Sequence, residues 1–381
     1  MMNLRTLLVL AFLISVSACS KEEDPVIVSS FEPAAGDYGT EVTIAGSLFS
    51  TEPHGNTVSF GGVNAKVITA SSSKIVVKVP EGAVTGKVIV TANGKSGTSA
   101  SDFTVTAGSW KSASNFPLTA DGAYDLFFSI GNMGYIHVGK RNVDGVDVDA
   151  TMWMYDPSAN KWSQKKEYDK DLPQGAPAIV FGTSNKGYIL ESNTLWEYDP
   201  GLDSWTQKGK LPGVFSKEVP RDGFYISSTN RVYVVMSNGY WMVYNPDTDI
   251  WSMNSGAPYE ESLDHTPDCM VQSTSTHGYL IIGTDVWQYT PETNTWSSVS
   301  TSSGSGTFNF TFSIDDNLYI GSTLSQNFYL YKPTLDTWVE KANVSIQRIN
   351  PIYFSLGENG YMGMGMSTSM TALNDFTEFI P

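Results

Sequence analysis

The chain has 381 residues, enough for two or three domains with sizeable cores. It carries 23 Lys and Arg against 39 Asp and Glu, a formal net charge of −16, which argues against nucleic acid or an anionic lipid surface as a partner. Aromatics reach 12% and charged residues only 16%, with 34 Gly and 18 Pro, so short strands and turns are expected rather than amphipathic helices. The expected class is all-β.

Residues 1–18 carry Arg5, the apolar run Leu7–Ile14 and then Val16-Ser17-Ala18. This is the order of an export signal, and the apolar run is far below the ~20 residues that span a bilayer. Val16-Ser17-Ala18-Cys19 resembles a bacterial lipobox, which implies cleavage before Cys19 and lipidation of that cysteine. Membrane contact is then expected only through the lipid anchor. Residues 19–25 form an acidic tether, Ser20-Lys21-Glu22-Glu23-Asp24 following the cysteine. The tether is similar to the surface-export signal of lipoproteins in glycan-scavenging Gram-negative bacteria, which implies an outer-membrane protein facing outward. It also fits a solvated linker, and a periplasmic orientation stays open. Cys269 is left without a disulfide partner and is expected to be a small buried hydrophobe.

Residues 26–106 read as one β-sandwich. Val26-Ile27-Val28, Val42-Thr43-Ile44, Val58-Ser59-Phe60, Ile75–Val79 and Lys87–Val90 are short β-branched runs separated by Gly, Pro, Asn and Ser. Phe31-Glu32-Pro33, Gly39–Gly46, Phe60-Gly61-Gly62 and Val79-Pro80-Glu81-Gly82 resemble, in order and spacing, the IPT/TIG immunoglobulin-like family. Nucleic-acid-binding relatives in that family carry basic loops. Here the loops offer Glu32, Asp37, Glu41, Glu52 and Glu81, so a spacer or packing role is expected.

Residues 107–381 repeat. Five copies share Tyr-x-Pro with a Trp seven positions after the Tyr: Tyr155/Trp162, Tyr198/Trp205, Tyr244/Trp251, Tyr289/Trp296 and Tyr331/Trp338. The constant interval predicts a fixed hairpin. A second motif lies upstream, as in Gly134-Tyr135-Ile136, Gly187-Tyr188-Ile189, Gly278-Tyr279-Leu280 and Gly360-Tyr361-Met362. From Trp110 onward the repeat tryptophans are 52, 43, 46, 45 and 42 residues apart, room for four short strands each. Trp110 stands alone at the start and Phe379 alone at the end. Pairing them closes a six-bladed β-propeller without a free edge. The aromatic, Gly and Trp positions resemble the Kelch family, although its double glycine is reduced here to single residues such as Gly139, Gly283 and Gly321.

Short uniform turns, such as Thr183–Lys186, are expected on one face of the propeller. The long variable loops (140–150, 163–176, 206–223, 252–267 and 363–374) belong on the other, around the mouth of the channel. Polar groups near the starts of the innermost strands make that mouth the expected site: Gln174, Arg221, Asp222, His265, Asp268 and Arg348. Arg221 and Arg348 fall where Kelch blades commonly begin with Arg, so bracing between blades competes with ligand contact. Most tryptophans are accounted for by the repeat. Trp241, three residues before Tyr244, is the least bound by it and joins Tyr124 and Phe308 as a candidate sugar platform; Tyr168, Phe215 and Tyr259 lie in similar loops.

These features predict a binding protein for a glycan or another surface protein, with no cofactor and no metal. Asp144, Asp147 and Asp149 form an acidic loop whose spacing lacks the D-x-D-x-D-G form of a Ca²⁺ site, so a solvated loop is expected. His137, His265 and His277 fall on different parts of the expected disc and cannot build the two-His copper centre of the Kelch-type oxidases resembling galactose oxidase. G-x-S-x-G, H-E-x-x-H and P-loop motifs do not occur. The rival class is a Kelch-type sialic-acid mutarotase, which would need an Arg and a carboxylate at the mouth. Arg221, Arg348, Glu218, Glu261 and Asp268 supply both types.

Overall fold

The computed structural model describes residues 24–80, 83–118, 125–143, 146–168, 178–212, 220–236, 240–255, 269–301 and 308–381. Among them nearly all regular structure is strand, and no helix is long and apolar enough to cross a membrane. The chain divides into two units, at Thr106 and Ala107.

The first unit contains β1 (Ile27–Glu32), β2 (Ala35–Gly36), β3 (Glu41–Ser47), β4 (Asn56–Phe60), β5 (Val63–Ala65), β6 (Val67–Ala70), β7 (Lys74–Lys78), β8 (Gly86–Ala92) and β9 (Lys95–Val105). They form two sheets, ordered β1-β3-β7-β6 and β2-β9-β8-β4-β5. Alternation of side chains sends Val42, Ile44, Ile75 and Val77 from one sheet and Val58, Phe60, Val88, Val90 and Phe103 from the other into one shared core.

The second unit contains six four-stranded antiparallel sheets among the described residues. Sheets one to five are continuous in sequence and begin with the strands Leu126–Ile130, Ala178–Gly182, Pro220–Ile226, Cys269–Ser273 and Phe310–Ile314. Sheet six is assembled from both ends. Ile352–Leu356, Asn359–Gly363 and Phe376–Ile380 are completed by Ser109–Ser112, with Trp110 opposite Phe379. Each first strand touches the first strand of the next sheet, and that of sheet six touches that of sheet one. Separate apolar clusters fill the spaces between consecutive sheets: Phe128, Tyr135 and Tyr198 between one and two, Phe310, Phe328 and Phe379 between five and six.

The repeated residues build the contacts between sheets. Tyr155 opposes Trp162 across a hairpin, and its hydroxyl donates to Asn160 Oδ1 at 2.9 Å; the same Oδ1 accepts the Ser114 amide of the preceding outer strand at 2.7 Å. Tyr198, Asp203 and the Lys166 amide repeat this arrangement at 2.6 and 2.9 Å, and Tyr244, Asp249 and the Gly209 amide at 2.9 and 2.8 Å. The accepting residues turn the chain at φ of 46°, 48° and 57°, a left-handed conformation that Asn and Asp tolerate best among residues with a side chain. The tryptophan completes the clasp: Trp162, Trp205 and Trp251 Nε1 donate to the Ser114, Lys166 and Gly209 carbonyls of the preceding outer segment. Trp110 does the same to the Ala342 carbonyl at 2.9 Å.

Nearer the first strands, contact between sheets explains the glycine of the second motif. A Cβ on Gly134, Gly187, Gly278 or Gly360 would run into the ring of Phe354, Phe128, Phe224 or Phe312, in each case from the preceding sheet. Leu318 replaces the glycine in sheet five, where the corresponding residue of sheet four is Gln272 rather than Phe.

Two predictions follow from this packing. Trp110→Ala removes an indole that packs on Phe312, Phe328 and Phe379. It is expected to lower the unfolding free energy of the second unit by about 3 kcal/mol; an unchanged melting temperature would separate the Ser109–Ser112 strand from stability. The second concerns His137, 1% exposed, whose ring lies edge to face with that of Tyr168. Burial lowers its pKa from 6.5 to about 4. The folded state then binds this proton less readily than the unfolded one. The associated stability is complete above pH 6.5 and is lost as the pH falls toward 4, by up to about 3 kcal/mol. His137→Leu is expected to flatten that acid limb in denaturant titrations.

Candidate functional site

Alternation along the six first strands leaves one set of side chains in the cores and the other facing a shared cavity of about 650 Å³. In sheet one, Phe128 and Ile130 are buried in a core between sheets while Phe127 and Ser129 are half-buried beside the cavity; in sheet six, Phe354 and Leu356 are buried while Tyr353 and Ser355 are half-buried beside it. Val180, Val271, Thr311 and Ser313 come from sheets two, four and five. The Phe127 and Tyr353 rings meet edge to face, their centroids 4.9 Å apart.

The charged residues lining the cavity are Asp125, Arg221 and Asp222, all at or before the beginning of a first strand. Arg221 is exposed. Asp222 lies where the pairing of strand Pro220–Ile226 with Arg231–Met236 shifts register between Pro220 and Asp222. That irregularity interrupts the alternation of side chains beside residues 221 and 222, both of which line the cavity. The Asp222 carboxylate accepts the Gly223 amide at 2.7 Å and the Val271 amide of sheet four at 3.4 Å. It keeps contact with the cavity space but lies deep in the unit. Burial outweighs the two amides and pushes its pKa up to about 7. Cys269 is half-buried and makes no disulfide, and burial, with the Asp222 charge adding, pushes its thiol up to about 12. Burial and the same carboxylate also raise the Tyr353 phenol.

Of the residues singled out in the sequence, the structure brings Arg221 and Asp222 together at the cavity. Three others are corrected. Arg348 is 1% exposed; its guanidinium points away from ligand space onto the Asp375 carboxylate, at 2.6 and 3.2 Å, and the Met364 carbonyl at 2.8 Å. It braces the segment between the last two sheet-six strands. Trp241 is 1% exposed because strand Tyr240–Asn245 is covered on both faces: Trp241 and Val243 pack toward sheet four, Met242 and Tyr244 toward sheet two. Phe308 is 4% exposed and stacks on Trp338, so neither ring is a sugar platform. Tyr168 is equally buried, between Trp196 and Trp205. Cys269 packs against the apolar cluster between sheets three and four, half-buried rather than fully buried.

Cys19, Tyr124, Phe215, Glu218, Tyr259, Glu261, Gln174, His265 and Asp268 lie outside the described residues, as does Asp144; Asp149 is exposed. Among the described residues no group of three or more His, Cys, Asp and Glu could hold a metal ion. Sequence reasoning missed Phe127, Thr311 and Tyr353. Their signal was the simple alternation of the first strands, which marks every second residue as cavity-facing once the adjoining positions are assigned to the cores.

The IPT/TIG domain family matches residues 25–106, so the first unit is an immunoglobulin-like IPT/TIG domain. No curated protein matches the chain. Among solved structures, a protein of unknown function from Bacteroides thetaiotaomicron is 15% identical with a TM-score of 0.52, over 94% of this chain and 98% of its own. The structure of YjhT is 13% identical with a TM-score of 0.52, over 69% of this chain and 95% of its own. An auxiliary nutrient-binding protein from Bacteroides ovatus is 13% identical with a TM-score of 0.46, over 94% and 98%. At these identities the likeness to the first two concerns the fold alone.

The position of Asp222 has a measurable consequence. A carboxyl whose folded pKa is raised confers stability that is complete below its unfolded pKa of 3.8 and is lost as the pH rises through about 7. Asp222→Asn is therefore expected to be more stable than wild type at pH 8 by about 1–3 kcal/mol, and to match it more closely at pH 4. A variant less stable at pH 8 would make the carboxylate a structural requirement.

Proposed function

We propose that the six sheets are the blades of a six-bladed Kelch-like β-propeller, and that the chain is a surface binding protein taking a glycan into the central cavity. The observation that carries the reading is the cavity itself, about 650 Å³, lined by the first strands of all six sheets, with Arg221 and Asp222 converging at one end. Its size falls within the range of small-molecule sites, and aromatic walls with a few convergent polar groups suit a sugar better than a folded protein surface. The cyclic contacts of the first strands and the Trp110–Phe379 pairing support the propeller.

In this reading residues 1–18 are a lipoprotein signal peptide, Cys19 is the lipidated residue and 19–25 is the tether. Residues 26–106 are the IPT/TIG spacer and 107–381 the propeller, held outward on the outer membrane. Cys19→Ser should then release the exported protein from the membrane fraction.

The binding claim is tested with the purified full chain on a glycan array, followed by titration of the best ligand. Arg221→Ala is expected to weaken that ligand by about 1–3 kcal/mol, roughly 5- to 150-fold, while leaving the melting temperature within a few degrees of wild type. Binding to surface proteins but to no glycan would give the site to a protein partner.

One observation favours a second reading, a mutarotase-like carbohydrate enzyme. Asp222 titrates near neutrality in a cavity that also holds an arginine, and such a carboxyl suits general acid–base work at a sugar's anomeric hydroxyl. Anomer exchange of a bound sugar, followed by NMR with wild type and Asp222→Asn, decides between them: faster exchange with wild type alone makes the protein an enzyme.

A further inference from the structure

The cavity's far end has a chemistry that the Arg221 end does not share. Strand register defines a layer there: Ser129 opposes Gly134, Ser273 opposes Gly278, Ser313 opposes Leu318 and Ser355 opposes Gly360. Gly182 and Tyr225 occupy the other two positions. All four serines are half-buried and line the cavity. Ser273 donates to the Tyr225 carbonyl at 2.7 Å. The hydroxyls of Ser129, Ser313 and Ser355 make no hydrogen bond to any described residue.

Thr311, two residues before Ser313, adds an independent observation. Phe310 and Phe312 on either side of it fill the core, so Thr311 faces the cavity, which it lines. It is 1% exposed, and its Oγ1 is buried without a partner. A valine would fill the same volume without that orphaned hydroxyl, so the threonine is not explained by packing. None of the charged residues lining the cavity belongs to this end. The Phe127–Tyr353 pair lies one layer away, opposite Ile136 and Met362.

We infer that Ser129, Thr311, Ser313 and Ser355 form a subsite for an uncharged, polyhydroxylated ring, a neutral sugar residue whose C–H face lies on Phe127 and Tyr353. The inference rests on the glycan reading and narrows it. Hydroxyls that both donate and accept match those of a sugar, whereas a carboxylate buried here would meet no cation from the lining.

The test uses the full-length protein in detergent with galactose, glucose and mannose, and with glucuronate as the charged counterpart. Ligand-observed NMR detects binding and a titration measures it. At least one neutral sugar is expected to bind, and glucuronate at least tenfold more weakly. Thr311→Val and Ser355→Ala are each expected to weaken the neutral sugar at least fivefold. Thr311→Val should melt no lower than wild type, because it deletes a hydroxyl that bonds nothing; Ser313→Ala replaces Ser355→Ala if that variant does not fold. Neutral-sugar binding that survives in these variants but is lost in Arg221→Ala overturns the subsite and leaves the glycan reading standing, as does a preference for glucuronate. Failure of all four sugars to bind overturns the glycan reading itself.

Discussion

Sheets one to three of the second unit depend on a clasp made by three residues at fixed spacing. A tyrosine hydroxyl and a backbone amide of the preceding sheet share one side-chain oxygen of an Asn or Asp held in a left-handed turn. The tryptophan two residues later returns a hydrogen bond to the same preceding segment. In sheets four and five the tyrosine bonds to Asn294 and Asp336 recur, while Trp338 donates to the Ser300 hydroxyl and Trp296 Nε1 has no partner among the described residues. Strand pairing holds each sheet together internally but does nothing to join one sheet to the next. The clasp supplies that join at the outer strand. A charged acceptor such as Asp203 makes it stronger than a neutral turn could. Sheet six lacks the tyrosine, having Phe379 instead, and recovers the contact through rings: Trp110, Phe328 and Phe379 pack within 5.5 Å of one another.

Anchoring the outer strands fixes what happens nearer the first strands. There a phenylalanine of one sheet lies against the glycine of the next at four of the six contacts, with Val232 and Leu318 in the glycine's place at the other two. Every first strand therefore gives one face to a core between sheets and the other to the common cavity. Residues on the cavity face are released from packing, and this is where side chains unfavourable to folding are found. Asp222 is deep enough for its carboxyl to titrate near neutrality, and Thr311 keeps a hydroxyl that bonds nothing. Such groups weaken a fold while preparing it to hold a polar ligand, the usual direction of exchange between stability and a binding site. The opposite case is Arg348, whose buried guanidinium is turned from the cavity onto Asp375 and a backbone carbonyl.

What the sequence by itself determined is everything periodic. Two apolar alternations and their turns define the β character of both units. The interval from Tyr155 to Trp162, repeated four more times, fixes the outer hairpins, and the unmatched Trp110 and Phe379 specify their own pairing. These features were legible because each is a local rule, a turn of set length or a strand of set period, that the backbone obeys without reference to distant residues. The site was legible only in part. Arg221 and Asp222 stand together in the chain, but the register shift beside them is something that no local pattern announces. The burial of Trp241 was invisible because it depends on the neighbouring sheets covering both strand faces, and that of Phe308 because it depends on the chain bringing Tyr329 and Trp338 back onto it. Tertiary structure alone decided which of two similar arginines keeps its charge near the cavity, since Asp375 reaches Arg348 only through a 27-residue separation that folding closes.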